Sequence, residues 1–257
     1  VSGLIAVLGG QEHHPGCEPI DRRLLAECGL SNPTVTVLLA ATVPNRIGAK
    51  MLETTSYWPG LGARVRISCL GGAHDTEQTL EALRDTDLVV LAGGRPWLMR
   101  ARLTSLIIER LWQLSDEGVP LSGSSAGAMA LCTWRLHVQP GRTPHVERGL
   151  GFVPGFAAPH YGRHGTQHAW RVIAHHHPHM DVLGLQDRTA LIGRDGHYEI
   201  MGVGSCTILR GSTSRRYPSG APVRLCGTPL PAPVVDPELS LEVGVSDDAS
   251  RLAAAAL

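Results

Sequence analysis

Val119-Pro120-Leu121-Ser122-Gly123-Ser124-Ser125-Ala126-Gly127-Ala128 is the stretch from which the fold can be read. An apolar lead-in runs into glycine and serine, and Ala126 to Cys132 are good helix formers, so the sequence predicts a strand, a tight turn and a helix. Such a turn presents its middle side chain, Ser125, above the sheet, while small neighbours permit a strained backbone and the close approach of a substrate. Ser125 then falls at the amino end of the helix, where backbone N–H groups and the helix dipole stabilise an oxyanion. The alternative is a glycine and serine turn that only caps the helix through Ser124 or Ser125, and a bare GxSxG match does not separate the two.

Working outward, apolar runs of strand length lie at Leu4 to Leu8, Val35 to Ala40, Val65 to Leu70 and Leu88 to Ala92, most ending in glycine or small residues. Segments with helical spacing separate them: Asp21 to Cys28, Thr76 to Leu83, and Leu103 to Leu114, where Leu106, Ile107, Leu111 and Leu114 can share a face. Strand alternating with helix predicts an α/β, doubly wound, mostly parallel sheet with helices on both faces. Ligands of such sheets sit at the carboxyl ends of the strands, here the turns after Leu8, Ala92 and Leu121. Chemistry is therefore expected near Gly9-Gly10, Gly93-Gly94 and Ser125. Glycines after Ala92 let backbone N–H groups face a ligand, although an ordinary β-to-α turn also favours them. Beside a nucleophile turn on the next strand, the oxyanion-binding reading is the better one.

After about Gly184 the pattern changes to short extended pieces, Thr189 to Ile192 and Cys206 to Leu209, with the turn Asp195-Gly196 between strands, which predicts a hairpin annex to the sheet. From Tyr217 onward proline, serine and small residues accumulate, and Arg251 to Leu257 could form only a short, marginal helix. Residues 1–216 are read as one domain and 217–257 as a partly ordered extension with no assigned function.

The chain has 257 residues with 43% hydrophobic content, enough for a substantial core. Lysine plus arginine total 23 against 23 aspartate plus glutamate, so no global field draws the chain to nucleic acid or to a membrane surface. A small molecule or peptide is the expected partner. No apolar run approaches the roughly 20 residues of a membrane-spanning helix, and the amino terminus reads as a strand without a basic leader, so a cytoplasmic location is expected. Cys17, Cys28, Cys69, Cys132, Cys206 and Cys226 are scattered, form no CxxC pair, and read as reduced thiols. A serine nucleophile needs a base, but thirteen histidines cannot be sorted by counting.

Order and spacing of several segments resolve this. Ala92-Gly93-Gly94, Gly123-Ser124-Ser125-Ala126-Gly127-Ala128, Gly149-Leu150-Gly151-Phe152-Val153-Pro154-Gly155, Pro159-His160-Tyr161, Gly184-Leu185-Gln186-Asp187-Arg188-Thr189-Ala190 and Gly202-Val203-Gly204-Ser205 together resemble peptidase family S51, the family of dipeptidase E and cyanophycinase, over roughly Leu4 to Leu209. The resemblance implies a flavodoxin-like sheet related to class I glutamine amidotransferases, with serine in place of cysteine at the turn. It also implies a Ser-His-acid triad of Ser125, His160 and Asp187, with an oxyanion hole from the N–H groups of Gly94 and Ala126. No metal or organic cofactor is required, and the family's habit of dimerising makes a homodimer an expectation, with the tail after Tyr217 available to an interface.

The chain also departs from the family. Arg95-Pro96 follows the glycine pair where family members commonly carry aspartate or asparagine and then glutamine, so Arg95 could bind a substrate carboxylate or lie outward in solvent. The basic segment after the histidine is altered to Tyr161-Gly162-Arg163-His164-Gly165-Thr166. Gly93, Arg95, Ser124 and Arg163 are the expected substrate-binding residues. His175-His176-His177-Pro178-His179 invites a metal reading, but the end of a helix starting near Thr166 accounts for it better, with histidines at the negative pole of the dipole. Trp97, Trp112, Trp134 and Trp170 read as core or interface residues, with Trp97 beside Arg95 the exception.

The expected reaction is hydrolysis of a small peptide, isopeptide or acyl-amide with an acidic residue on the acyl side, through an acyl-enzyme. Transfer of the acyl group to an amine is a second reading, motivated by the altered loops, and a noncatalytic ligand-binding module is a third.

Overall fold

The computed structural model describes residues 2–72, 75–141, 145–163 and 167–225. In chain order its elements are β1 (Ile5–Leu8), α1 (Glu18–Glu27), β2 (Thr34–Leu38), α2 (Ile47–Gly60), β3 (Arg64–Ser68), α3 (Asp75–Ala82), β4 (Leu88–Leu91), α4 (Pro96–Arg102), α5 (Ser105–Asp116), β5 (Leu121–Ser124) and α6 (Ala126–Leu131). They continue as β6 (Cys132–His137), β7 (His145–Arg148), β8 (Val153–Ala158), α7 (Gln167–His176), β9 (Val182–Leu185), β10 (Thr189–Arg194), β11 (His197–Gly202), β12 (Ser205–Arg210), β13 (Thr213–Pro218) and β14 (Pro222–Arg224).

The first sheet has the order β14-β11-β10-β1-β5-β4-β2-β3, and its β1, β5, β4, β2 and β3 are parallel. Their apolar runs are continuous because both faces are covered. Along β1, Ile5 and Val7 join one buried cluster with Ile107, Leu111 and Leu114 of α5, whereas Ala6 and Leu8 join another with Ile20 and Leu24 of α1 and Trp58 of α2. This is the doubly wound, mostly parallel sheet that strand and helix alternation predicts.

The structure agrees with the expected hairpin and revises two other details. The Asp195-Gly196 turn does link two strands, with φ of 51° and 80° as a two-residue hairpin with a primed turn requires. That hairpin is the expected annex to the sheet, joined to the edge of its parallel strands where β10 pairs antiparallel with β1 (Leu8 opposite Ala190). A second sheet, β13-β12-β9-β8-β6-β7, was not foreseen at all. The domain boundary after residue 216 falls inside β13, and β14 still pairs with β11, so the extension begins no earlier than residue 225. Cys226, residues 164–166 and the tail, for which a marginal helix and a dimer role are expectations, lie outside the described residues. The five described cysteines are free thiols, and burial pushes Cys17, Cys132 and Cys206 up to about 12, which keeps them protonated and inert. Among the described residues no helix is long and apolar enough to cross a membrane.

Asp21 in α1 is buried, and its Oδ2 accepts a hydrogen bond from the Tyr57 hydroxyl at 2.6 Å. Burial pushes its carboxyl from 3.8 up to about 6, against the smaller opposing pull of Tyr57. A raised folded-state value means that its contribution is fully present below 3.8 and lost as pH rises through 6. Asp21→Asn keeps an acceptor for Tyr57 without the buried charge. It should therefore stabilise the fold at pH 8, by up to roughly 3 kcal/mol, and change little at pH 3.5. Urea midpoints at the two pH values check this.

Candidate active site

At the end of β5 the chain turns sharply into α6, and Ser125 sits in the turn at φ 50°, ψ −106°, a backbone conformation that a residue with a side chain rarely occupies. The turn is held from both sides: the Ser125 N–H donates to the Leu8 carbonyl on β1, and the Met129 N–H to the Ser125 carbonyl. Gly127 allows it, since a Cβ there would lie 2.1 Å from the Leu91 carbonyl oxygen of β4.

Opposite the turn, β8 delivers His160 from the second sheet, at φ 54° and with its N–H bonded to the Gly9 carbonyl at 2.9 Å. Its Nε2 lies 3.0 Å from Ser125 Oγ and its Nδ1 2.6 Å from Asp187 Oδ1. Asp187 belongs to the three-residue link between β9 of the second sheet and β10 of the first, and the Arg188 N–H donates to the Gly10 carbonyl beside it. The three side chains thus meet at the seam between the sheets. An ionised Asp187 accepts from Nδ1–H and leaves Nε2 free to accept the serine hydroxyl proton.

Ala126 is the first residue of α6, so its N–H has no acceptor within the helix. Neither its N–H nor that of Gly94 is used in a hydrogen bond among the described residues. Gly94, Arg95, Ser125 and His160 line a cavity of about 330 Å³ with Arg46 and Lys50. Residues 4–201 match the sequence model of peptidase family S51.

The chain belongs to peptidase family S51.

It is a serine hydrolase of that family, similar to the cyanophycinases of Trichormus variabilis and Nostoc sp., each 25% identical over an alignment 222 residues long, with 80% of this chain and 72% of the relative covered. Among solved structures it resembles a peptidase from an acI-B1 Actinobacterium, with a TM-score of 0.74 and 18% identity over 87% of this chain and 97% of the other. A candidate peptidase E from Listeria monocytogenes EGD-e superposes with a TM-score of 0.59 and 15% identity over 79% of this chain and all of the other. At these identities the two structures speak for the shared fold.

Within this S51 peptidase the expected substrate-binding residues divide. Arg95 lines the cavity, its guanidinium 5.3 Å from the centre of the Trp97 ring, so Trp97 supports Arg95 and is not a wall of the site. Gly93 lines the cavity too, but its N–H is committed to Glu12 Oε1 at 3.0 Å. Ser124 is 2% exposed and donates its hydroxyl to Glu12 Oε2 at 2.6 Å, so the expectation that it binds substrate is corrected. Arg163 lies beside Asp187, its Nε 3.5 Å from Oδ2, and outside the lining of this cavity.

Sequence reasoning missed Glu12 and Lys50. Lys50 Nζ lies 2.9 Å from Glu12 Oε1 and 3.2 Å from Glu53 Oε2, in the wall of the cavity. The only signal for Glu12 was its place two residues after the Gly9-Gly10 turn. The histidine run falls where the helix reading put it: α7 ends at His176, with His175 and His176 in its last turn and Pro178 beyond. A different group, His137, His145 and Glu147, brings ligand-type atoms within 4.8 Å of one another. Glu147 is already neutralised there, with Oε1 2.9 Å from Arg135 Nε and Oε2 2.9 Å from Arg100 Nε. Two guanidinium groups on the one carboxylate repel a metal cation, and the group reads as an ion-pair cluster.

Proposed function

We propose that this S51 peptidase hydrolyses a small peptide, isopeptide or acyl-amide through an acyl-enzyme formed on Ser125. The observation that carries the reading is the continuous relay Asp187 Oδ1 to His160 Nδ1 at 2.6 Å and His160 Nε2 to Ser125 Oγ at 3.0 Å. His160 takes the hydroxyl proton as Oγ attacks the amide carbonyl, while Asp187 stabilises the imidazolium. The N–H groups of Gly94 and Ala126 receive the oxyanion. Collapse of the adduct breaks the C–N bond, and His160 returns the proton to the leaving amine. A water molecule, deprotonated by the same imidazole, then cleaves the ester to the free acid.

Arg46 and Arg95 place two fixed cations around the cavity, which supports an acidic residue on the acyl side of the substrate. That the two relatives are cyanophycinases agrees with an amide-cleaving activity. A purely ligand-binding module gives no account of the hydrogen-bonded relay or of the strained backbone at Ser125. The free thiols fit a reducing compartment, and a cytoplasmic location belongs to this reading.

Treatment with a fluorophosphonate probe tests it. The hydroxyl of Ser125 displaces fluoride from phosphorus, so intact mass should rise by one phosphonyl group, and peptide mapping should place the group on Ser125. A wild-type protein that stays unlabelled, or carries the group elsewhere, would overturn the proposal.

A further inference from the structure

Four residues beyond β1, the Glu12 side chain is 11% exposed and its carboxylate is fully engaged. Oε1 accepts from the Gly93 N–H at 3.0 Å and from Lys50 Nζ at 2.9 Å, and Oε2 accepts from the Ser124 hydroxyl at 2.6 Å. The partners sit at the ends of β4 and β5 and on α2, which follows β2, while Glu12 itself follows β1. In the sheet these four strands are consecutive neighbours, β1-β5-β4-β2, so one carboxylate links segments that follow all four. Gly93 immediately precedes Gly94, and Ser124 is two residues from Ala126. Glu12 therefore grips one residue adjacent to the Gly94 N–H and another two positions before the Ala126 N–H, the two groups assigned to the oxyanion.

We propose that Glu12 is a positioning residue that fixes the separation of the Gly94 and Ala126 N–H groups and so builds the oxyanion hole. The inference rests on the acyl-enzyme reading given above. An oxyanion hole is effective because its donors need not reorganise as charge develops. The Gly93-Gly94 loop, with glycine's backbone freedom, is the part of this site least able to hold itself in place. Charge-assisted hydrogen bonds from a carboxylate are stronger than those a neutral acceptor would form. Burial alone would raise the Glu12 carboxyl, but the Lys50 charge and the bonds from Ser124 and Lys50 bring it down to about 2, so the clamp stays anionic at neutral pH. Lys50 also supplies the countercharge that keeps this carboxylate from opposing the oxyanion.

Fluorophosphonate inactivation, followed by mass spectrometry over a range of probe concentrations, separates the maximal rate of phosphonylation from probe affinity. Glu12→Ala should lower the maximal rate by about 30- to 100-fold, less than outright loss of one oxyanion donor, and leave affinity within about threefold of wild type. Glu12→Gln still offers an oxygen to the Gly93 N–H and an amide N–H to Ser124 Oγ, and should recover about tenfold of that loss. Ser124→Ala removes one anchor and should lower the maximal rate by about fivefold, which keeps the test decisive if Glu12→Ala does not fold. A folded Glu12→Ala protein phosphonylated at the wild-type rate would overturn the proposal, as would a loss wholly in affinity, no recovery by glutamine, or no effect of Ser124→Ala. Absence of labelling in the wild type overturns the acyl-enzyme reading and this inference with it. Labelled wild type with indifferent Glu12 variants overturns this inference alone.

Discussion

Ser125→Ala should abolish fluorophosphonate labelling, and His160→Ala should lower its rate by about six orders of magnitude, with both proteins folded as wild type. The serine hydroxyl is a weak nucleophile unless Nε2 takes its proton as it attacks, and the 3.0 Å contact supplies that acceptor. Because the two act as a unit, the double variant should hydrolyse an amide no more slowly than either single one. Asp187→Asn is the sharper test, with an expected loss of about 10⁴-fold. Asparagine fits the same space, but its amide can donate to Nδ1 and thereby select the tautomer that places a proton on Nε2, facing the serine. Turnover of an acidic isopeptide, with circular dichroism as the control for folding, checks all three. A loss below tenfold in Asp187→Asn would remove Asp187 from the relay and leave His160 oriented by its backbone alone.

How much of this could be read in advance depends on how local the cause is. The nucleophile turn was legible because its requirements are local: an apolar strand, small residues about a strained serine, and helix formers after it. The central strands were legible because burial on both faces makes them continuous apolar runs. Helix α2 was not, because it buries only Thr54 and Trp58 along 14 residues and carries Pro59, so no apolar stripe marks it. The run Leu103 to Leu114 read as one helix and is one, α5, whose start moves to Ser105 because the backbone at Leu103 and Thr104 is extended. The second sheet was hidden because β6 follows α6 without a break, and Cys132, which opens it, reads equally well as the last residue of the helix. Glu12 was out of reach for a different reason. Its partners Gly93 and Ser124 are 81 and 112 residues away, and only the order of the strands makes them neighbours. The mistaken role of Ser124 has the same origin, since proximity in sequence to a reacting residue does not say whether a side chain faces the cavity or its supports.

Gly10→Ala should reduce labelling and amide turnover by about 10³-fold although residue 10 takes no part in the chemistry. Gly10 has φ +136°, and a Cβ built on it would lie 2.2 Å from His160 Cε1, 2.6 Å from its Nδ1 and 2.9 Å from Asp187 Oδ1. The His160 backbone cannot retreat, because its N–H is bonded to the Gly9 carbonyl next door. The imidazole must therefore swing off one of its two partners, and a displacement on the order of 1 Å in a reacting group costs about 10²-fold before the lost proton transfer is added. Backbone strain from alanine at positive φ lowers stability but does not account for this loss. Gly196→Ala separates the two effects: that residue also has positive φ, +80°, but an added Cβ meets nothing within 4 Å, and it lies at the far turn of the β10-β11 hairpin. It should lower the melting temperature and leave the labelling rate unchanged. Added imidazole provides a second discriminator, since it should restore part of the activity of His160→Ala, where the ring's space is empty, and none of Gly10→Ala, where the displaced ring still fills it. Wild-type labelling in Gly10→Ala would mean that the imidazole reaches Ser125 by a route that the hydrogen bonds to Gly9 and Asp187 do not constrain.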